Sequence, residues 1–225
     1  VYTIGDSMNL ANCKKDEIVD RFNFVCVHGH NGLAHPNCYD QNNSIKKKIA
    51  FLDIETTNLK ANWGFVFSYC LKEENGQLIK RVLTPKEIKC GIYDKDLLIQ
   101  FCKDIRKFDR TIGYYSARFD IPFLRTRCVY YGLDFPMYKE VKHTDLYDII
   151  KRKFCLHSKR LQVVADFLGI ESKKHPMNPS VWFKAMAGDE KALNWIITHN
   201  IEDVNTTEEL WAKVNNYARI TDTSI

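Results

Sequence analysis

The stretch Phe51-Leu52-Asp53-Ile54-Glu55-Thr56-Thr57-Asn58-Leu59 sets the fold from which every other segment takes its place. Residues 49–54 form a short apolar run between polar segments, which predicts a buried strand. Side chains alternate along a strand, so Asp53 and Glu55 point to one face. Two carboxylates about 4 Å apart repel by about 4 kcal/mol at an effective dielectric of about 20, so a fold that keeps them side by side supplies a cation. Carboxylate oxygens suit Mg²⁺ or Mn²⁺. An isolated Asp-x-Glu more often points into solvent, so other residues have to join the pair before it means chemistry.

Downstream, residues 65–71 and 77–83 predict two further strands, joined by the turn residues Glu74, Asn75 and Gly76. Asp94 is expected to cap a helix over 95–108, where Leu97, Leu98, Phe101, Cys102, Ile105 and Phe108 recur at helical spacing. Residues 111–115 and 141–144 return as strands. Helices are expected over 145–154, over 159–168 with a stop at Gly169, from Asn178-Pro179 to a stop at Gly188, and over 189–214. Three strands, then alternating helices and strands, then helices predict an α/β layer fold with a mixed sheet.

Two later segments join the first pair of acids. Tyr115-Ser116-Ala117-Arg118-Phe119-Asp120-Ile121-Pro122 follows the fourth strand, and His199-Asn200-Ile201-Glu202-Asp203 lies on the last helix. In order, spacing and predicted element these motifs resemble those of the DEDD 3′-to-5′ exonucleases of the ribonuclease-H-like superfamily. The likeness is nearest to the ribonuclease-H-like proteins predicted in bacteria, archaea and their viruses, and it covers residues 49–213. It implies a ribonuclease-H-like mixed five-stranded sheet flanked by helices, with Asp53, Glu55, Asp120 and Asp203 as metal-binding carboxylates. Two departures stand out: His199 is a histidine where the resemblance expects tyrosine at that spacing, and Tyr115 stands where relatives generally carry asparagine.

The resemblance implies hydrolysis of phosphodiester bonds in DNA or RNA from the 3′ end by two Mg²⁺ or Mn²⁺ ions, about 3.5 to 4 Å apart. We take Asp53 as the bridge between them, Glu55 and Asp203 as completing the ion that activates water, and Asp120 as support for the second. His199 lies one helical turn before Asp203, and a histidine titrating near neutrality can accept the proton of the attacking water. Thr56, Asn58 and Leu59 are expected to hold the terminal nucleotide, with Tyr115 as a further substrate contact. Phe119, Phe123 and Trp63 offer stacking faces, although aromatics near strand ends are more often core. Arg125, Arg127, Lys159, Arg160 and 151–153 supply positive charge for phosphates or form a solvated face.

Residues 1–44 differ in texture from the rest of the chain, being rich in Asn, His, Cys and Asp, with only 15–24 at helical spacing. They are read as an accessory segment before a nuclease domain at 45–225. Between Cys26 and Cys38 lie three histidines, a metal-ligand density that predicts structural zinc. Cys26, His30, His35 and Cys38 are the expected ligands, with His28 or Cys13 as substitutes. A segment without its own core needs such a staple, because metal-binding energy becomes folding energy. The remaining cysteines, Cys70, Cys90, Cys102, Cys128 and Cys155, are expected as reduced core residues.

The 225 residues are 45% apolar and 27% charged with 10 Gly and 6 Pro, which excludes disordered and collagen-like classes. Thirty-three Lys and Arg against 28 Asp and Glu leave +5, a mild excess that suits a phosphate-bearing partner. No apolar run nears the roughly 20 residues that span a bilayer, and no secretion signal opens the chain, so an intracellular (cytoplasmic) protein of cellular or viral origin, with no membrane partner, is expected. The chain starts at Val1, as a trimmed or excised chain would. The expected substrate is a single strand with a 3′ end, in the company of a replication, repair or recombination protein. Two alternatives stay open: a nucleic-acid-binding zinc protein with a weak or inactive nuclease fold, and a structure-specific endonuclease using the same site.

Overall fold

A computed structural model describes residues 15–42, 47–171 and 178–218. In chain order the elements are α1 (Lys15–Asn23), α2 (Pro36–Asn42), β1 (Ile49–Thr56), β2 (Val66–Glu73), β3 (Leu78–Val82), α3 (Pro85–Lys89), α4 (Lys95–Ile105), β4 (Arg110–Gly113), α5 (Asp120–Tyr130), β5 (Lys142–Asp145), α6 (Leu146–Lys153), α7 (Leu161–Phe167), α8 (Pro179–Met186) and α9 (Glu190–Val214). The strands form one mixed sheet in the order β3-β2-β1-β4-β5. The first three are antiparallel neighbours, while β1, β4 and β5 run parallel. The expected boundary between residues 44 and 45 falls outside the described residues.

Strand β1 is central and covered on both faces. Ala50, Leu52 and Ile54 pack into one core with Leu97 and Phe101 of α4 and Leu124 of α5, whereas Phe51 packs into a second with Ile112, Ile150, Val164 and Val204. Burying each Leu, Ile or Phe of this kind is worth about 1.5–3 kcal/mol, so the alternation of β1 is held in phase from both sides. Asp53 and Glu55 are in phase with Phe51 and therefore face α9. That helix ties the two cores together, since Leu193 and Ile196 join the first while Val204, Leu210 and Val214 join the second.

Several local expectations are corrected. Asp94 makes no side-chain cap for α4; it is fully buried and accepts hydrogen bonds from the Val66 N–H (3.0 Å) and from Arg127 Nη2 (2.6 Å). Arg127 is therefore committed to an internal ion pair rather than open to phosphates. Cys70, Cys102 and Cys128 are buried as expected, but Cys90 and Cys155 are exposed. Three helices were not foreseen. For α3 the signal was present: Thr84-Pro85-Lys86-Glu87 forms a capping box, with Thr84 accepting from the Glu87 N–H and Glu87 accepting from the Thr84 N–H. Helix α2 is short and mostly polar, and the apolar residues of α5 are spread around its circumference, with Phe123 and Leu124 buried but Val129 and Tyr130 exposed, so hydrophobic periodicity could not find them. Among the described residues no helix is long and apolar enough to cross a membrane.

Candidate active site

The acids of β1 stand where the strand leaves its ladder. Glu55 faces Ser68 and Thr56 faces Val66, so the register slips by one residue between them and Phe67 is left over on β2. Such a bulge bends the strand end and re-aims its side chains. Asp53 lies opposite Cys70. Burial, then the negative charges of Asp53 and Glu55, push the Cys70 thiol well up and keep it a neutral core group.

Helix α9 brings the second half of the cluster. Asp189 caps it by accepting from the Ala192 N–H (2.8 Å), and its buried face presents His199, Asn200 and Asp203. One ligand atom from each of Glu55, His199 and Asp203 lies within 4.8 Å of the others. His199 Nε2 is 3.8 Å from Glu55 Oε1, and its ring stacks on Trp195 with centroids 5.2 Å apart and planes 11° from parallel. Asn200, which the sequence motif contains without an assigned role, is fully buried. In the amide orientation that satisfies both its ends, it donates to the Asp53 carbonyl (3.3 Å) and accepts from the Glu55 N–H (3.2 Å) and the Ser68 hydroxyl (3.1 Å). It thus ties α9 to the backbone of both β1 acids. Its burial cannot be read from the sequence, so the motif alone does not reveal this role.

Asp120 opens α5 from beneath β1. Its Oδ1 accepts the Ile54 N–H at 3.0 Å, so it is bonded to the residue between Asp53 and Glu55. Burial raises its pKa to about 7 against the backbone hydrogen bonds it accepts, and the charges of Asp145 and Asp203 add to the rise. Asp145 caps α6 through the Tyr147 N–H and also takes the N–H groups of Tyr115 (2.8 Å) and Ala117 (3.0 Å). Asp120, Asp145 and Asp203 therefore share one field of negative charge. A divalent cation is the counter-charge that returns such a group to its ionised form, and the donor set, mostly carboxylate oxygen, fits Mg²⁺ or Mn²⁺.

The expected substrate residues are spread more widely. Thr56 is buried with its hydroxyl on the Asn58 carbonyl (2.9 Å), and Asn58 accepts from the Lys60 N–H (3.0 Å), so both side chains shape the loop after β1. Leu59 and Trp63 are each 77% exposed on that loop. Phe123 is core and Phe119 packs against it. Tyr115 is exposed, with its backbone at φ 61°.

In the amino-terminal segment, the Gly29 N–H closes a turn onto the Cys26 carbonyl (2.8 Å) and brings His28 back over Cys26. Ligand atoms of Cys26, His28, His35 and Cys38 all lie within 4.8 Å of one another. Cys26 Sγ is 3.3 Å from His35 Nδ1, and Cys38 Sγ is 3.6 Å from His28 Nδ1. The cluster takes in His28, the substitute named for His30, while the His30 ring meets His35 edge-on at 5.5 Å. Cys13 lies outside the described residues. Burial opposes ionisation of Cys26, but the His35 ring and the His28 and His30 N–H groups outweigh it and hold the thiol down at about 5. The thiolate is the form that binds metals. Among the residues described between 15 and 42, the buried apolar side chains are Cys26, Pro36 and Tyr39.

The sequence profile of the RNase_H superfamily matches residues 50–215. A DNA polymerase of Methanocaldococcus jannaschii is 28% identical over 163 residues, which take in 61% of this chain and 10% of the polymerase. The fold is similar to that of the family B DNA polymerase from the hyperthermophilic archaeon Pyrobaculum calidifontis, with a TM-score of 0.63 and 19% identity, covering 76% of this chain and 25% of that one. The chain spans between a tenth and a quarter of the length of these relatives.

Proposed function

Since this chain belongs to the RNase H superfamily, we propose that it is a divalent-metal-dependent nuclease that removes nucleotides from the 3′ end of single-stranded DNA or RNA. The observation that carries the reading is the convergence of acids from three separate elements: Glu55 and Asp203 share one cluster with His199, Asp53 lies on the same face, and Asp120 is bonded between the two β1 acids. Asp53, Glu55, Asp120 and Asp203 would hold two Mg²⁺ or Mn²⁺ ions, which supply acidified water and neutralise charge on the phosphate in the transition state. His199 would take the proton of the attacking water. Trp195 fixes the plane of its ring, and Glu55 stabilises it once protonated. Thr56 and Asn58 shape the loop that presents Leu59 to the terminal nucleotide. A protein of this kind works inside the cell, where a replication, repair or recombination protein would deliver its strand.

The Cys26, His28, His35 and Cys38 cluster is read as a structural zinc site. Two thiolates and two imidazoles complete a closed tetrahedral set, and the folding energy they add is what a segment with so few buried apolar residues lacks.

The deciding assay is cleavage of a 5′-labelled single-stranded oligonucleotide in Mn²⁺, for the native chain, for Asp53→Asn and with metal chelated. A ladder shortening from the 3′ end, lost in both controls, is the expected result. Discrete internal cuts that depend on Asp53 would make the protein an endonuclease, and an intact oligonucleotide would reject the reading for single strands.

A further inference from the structure

We propose that the cleft between the end of β4 and the segment joining α6 to α7 binds one nucleotide of the substrate strand, its base against tyrosine and its phosphate on Arg160 and Lys159. The proposal rests on the nuclease reading above and adds a second point of attachment for the same strand. The cleft has a volume of about 470 Å³ and is lined by Tyr114, Tyr115, Tyr147, Lys159, Arg160 and Leu161. That volume falls within the roughly 300–1,000 Å³ of small-ligand sites. Aromatic faces beside cations are the chemistry that single strands require, since every base has a face to stack and every nucleotide a charge to neutralise.

The rings are held in place. Tyr115 and Tyr147 meet edge to face with centroids 4.9 Å apart, and the Arg118 guanidinium lies 5.8 Å and 5.5 Å from their ring centres. Arg118 is itself anchored by Asp148 at 2.8 Å. The Tyr114 hydroxyl donates to the Lys159 carbonyl (2.6 Å), which fixes the cationic segment against the end of β4. Tyr115 remains 45% exposed, in a left-handed backbone conformation that a bulky side chain rarely adopts. The bond from its N–H to Asp145 Oδ1 holds that conformation.

Continuity with the acids gives the cleft its occupant. Asp145 holds the Tyr115 backbone with one oxygen and the Ala117 N–H with the other, three residues before Asp120, and its charge acts on Asp120. In the order β3-β2-β1-β4-β5 the cleft lies on the β4–β5 side of the acids, whereas His199 and Trp195 come from α9, which packs over β1 and β2. Through Asp145 the cleft adjoins the acids on the β5 side, and a strand with its end among them would extend toward it.

The test compares KM for a dinucleotide and an octanucleotide in Mn²⁺ with native protein, Tyr147→Ala and Arg160→Glu. Lys103→Glu on α4, a matched charge change at an exposed position, serves as control. Native protein and the control should show a KM about tenfold lower for the longer strand, and the two cleft variants should lose that length dependence. Length dependence that survives in both cleft variants overturns the proposal, as does a fall in kcat with KM unmoved. If the native protein cleaves nothing, the nuclease reading fails separately, and anisotropy of a fluorescein-labelled octanucleotide with metal chelated decides the cleft. Binding weakened in both cleft variants but not in the control upholds it. Equal binding in all forms, or none to native protein, overturns it.

Discussion

Acidification should strip the domain of the stability contributed by one buried ring, that of His143. The side chain lies on β5, 2% exposed, with Nδ1 2.9 Å from the Thr111 hydroxyl and Nε2 2.9 Å from the Ser116 hydroxyl. Gly113 leaves room for this arrangement, because a Cβ there would sit 2.3 Å from Ser116 Oγ. Burial, and then the positive charge of Arg110, push His143 down to about 4. In the unfolded chain a histidine titrates near about 6.5, so between these values the unfolded state takes up a proton that the folded state refuses. Stability from the neutral ring is complete above about pH 6.5 and declines as pH falls toward 4, by up to about 3 kcal/mol at about 1.4 kcal/mol per pH unit. Asp120 works in the opposite sense: its pKa, raised to about 7 in the fold, makes protonation stabilising across the same window. The native curve alone therefore hides the histidine. Comparison with His143→Gln exposes it, since glutamine can engage the same two hydroxyls without titrating. Urea unfolding followed by tryptophan fluorescence between pH 4 and 8 should show the native advantage over the variant shrinking by about 3 kcal/mol as pH falls. A difference that stays flat would refute the reasoning.

Three other outcomes are expected. Asn200→Leu should lower kcat by about 100-fold, because sub-ångström placement of the β1 and α9 acids depends on that amide, and should cost about 1–3 kcal/mol of stability in a urea titration. Arg127→Met leaves the Asp94 carboxylate buried without its cation and should destabilise by about 3–5 kcal/mol, read from the midpoint of chemical unfolding. In a Co²⁺ titration of the full chain, native protein and His30→Ala should develop the visible absorption of a tetrahedral thiolate site, and His28→Ala should not; equal loss in both histidine variants would reject the ligand set.

Much of the sheet was legible because burial imposes a period. The apolar runs of β1 and β2 and the spacing of Leu97, Phe101 and Ile105 on α4 predict the elements that the two cores require. The β1 acids could be placed on one face from the same alternation, although nothing in it disclosed the bulge after Glu55. What escaped was set by contacts distant in sequence. Asp94 reads as a helix cap from its neighbours, but Arg127, 33 positions away, draws it into the interior. Likewise, His28 and His30 are equivalent in a string of residues, and the turn at Gly29 is what separates them. Asn200 went unassigned because a buried amide has no periodic signature.

The placement of Asp203 on the helix that joins the two cores bears on how the protein is made. Synthesis delivers Asp53, Glu55 and Asp120 first, and Asp203 only about 80 residues later, on an element whose packing needs both faces of the sheet already formed. A nascent chain still lacking α9 thus carries most of the acids but not the helix that brings Asp203 and His199 to them, so on the proposed reading cleavage would await that helix. Cleavage would then report on the docking of α9, and damage that frays this helix would abolish it rather than weaken it by degrees.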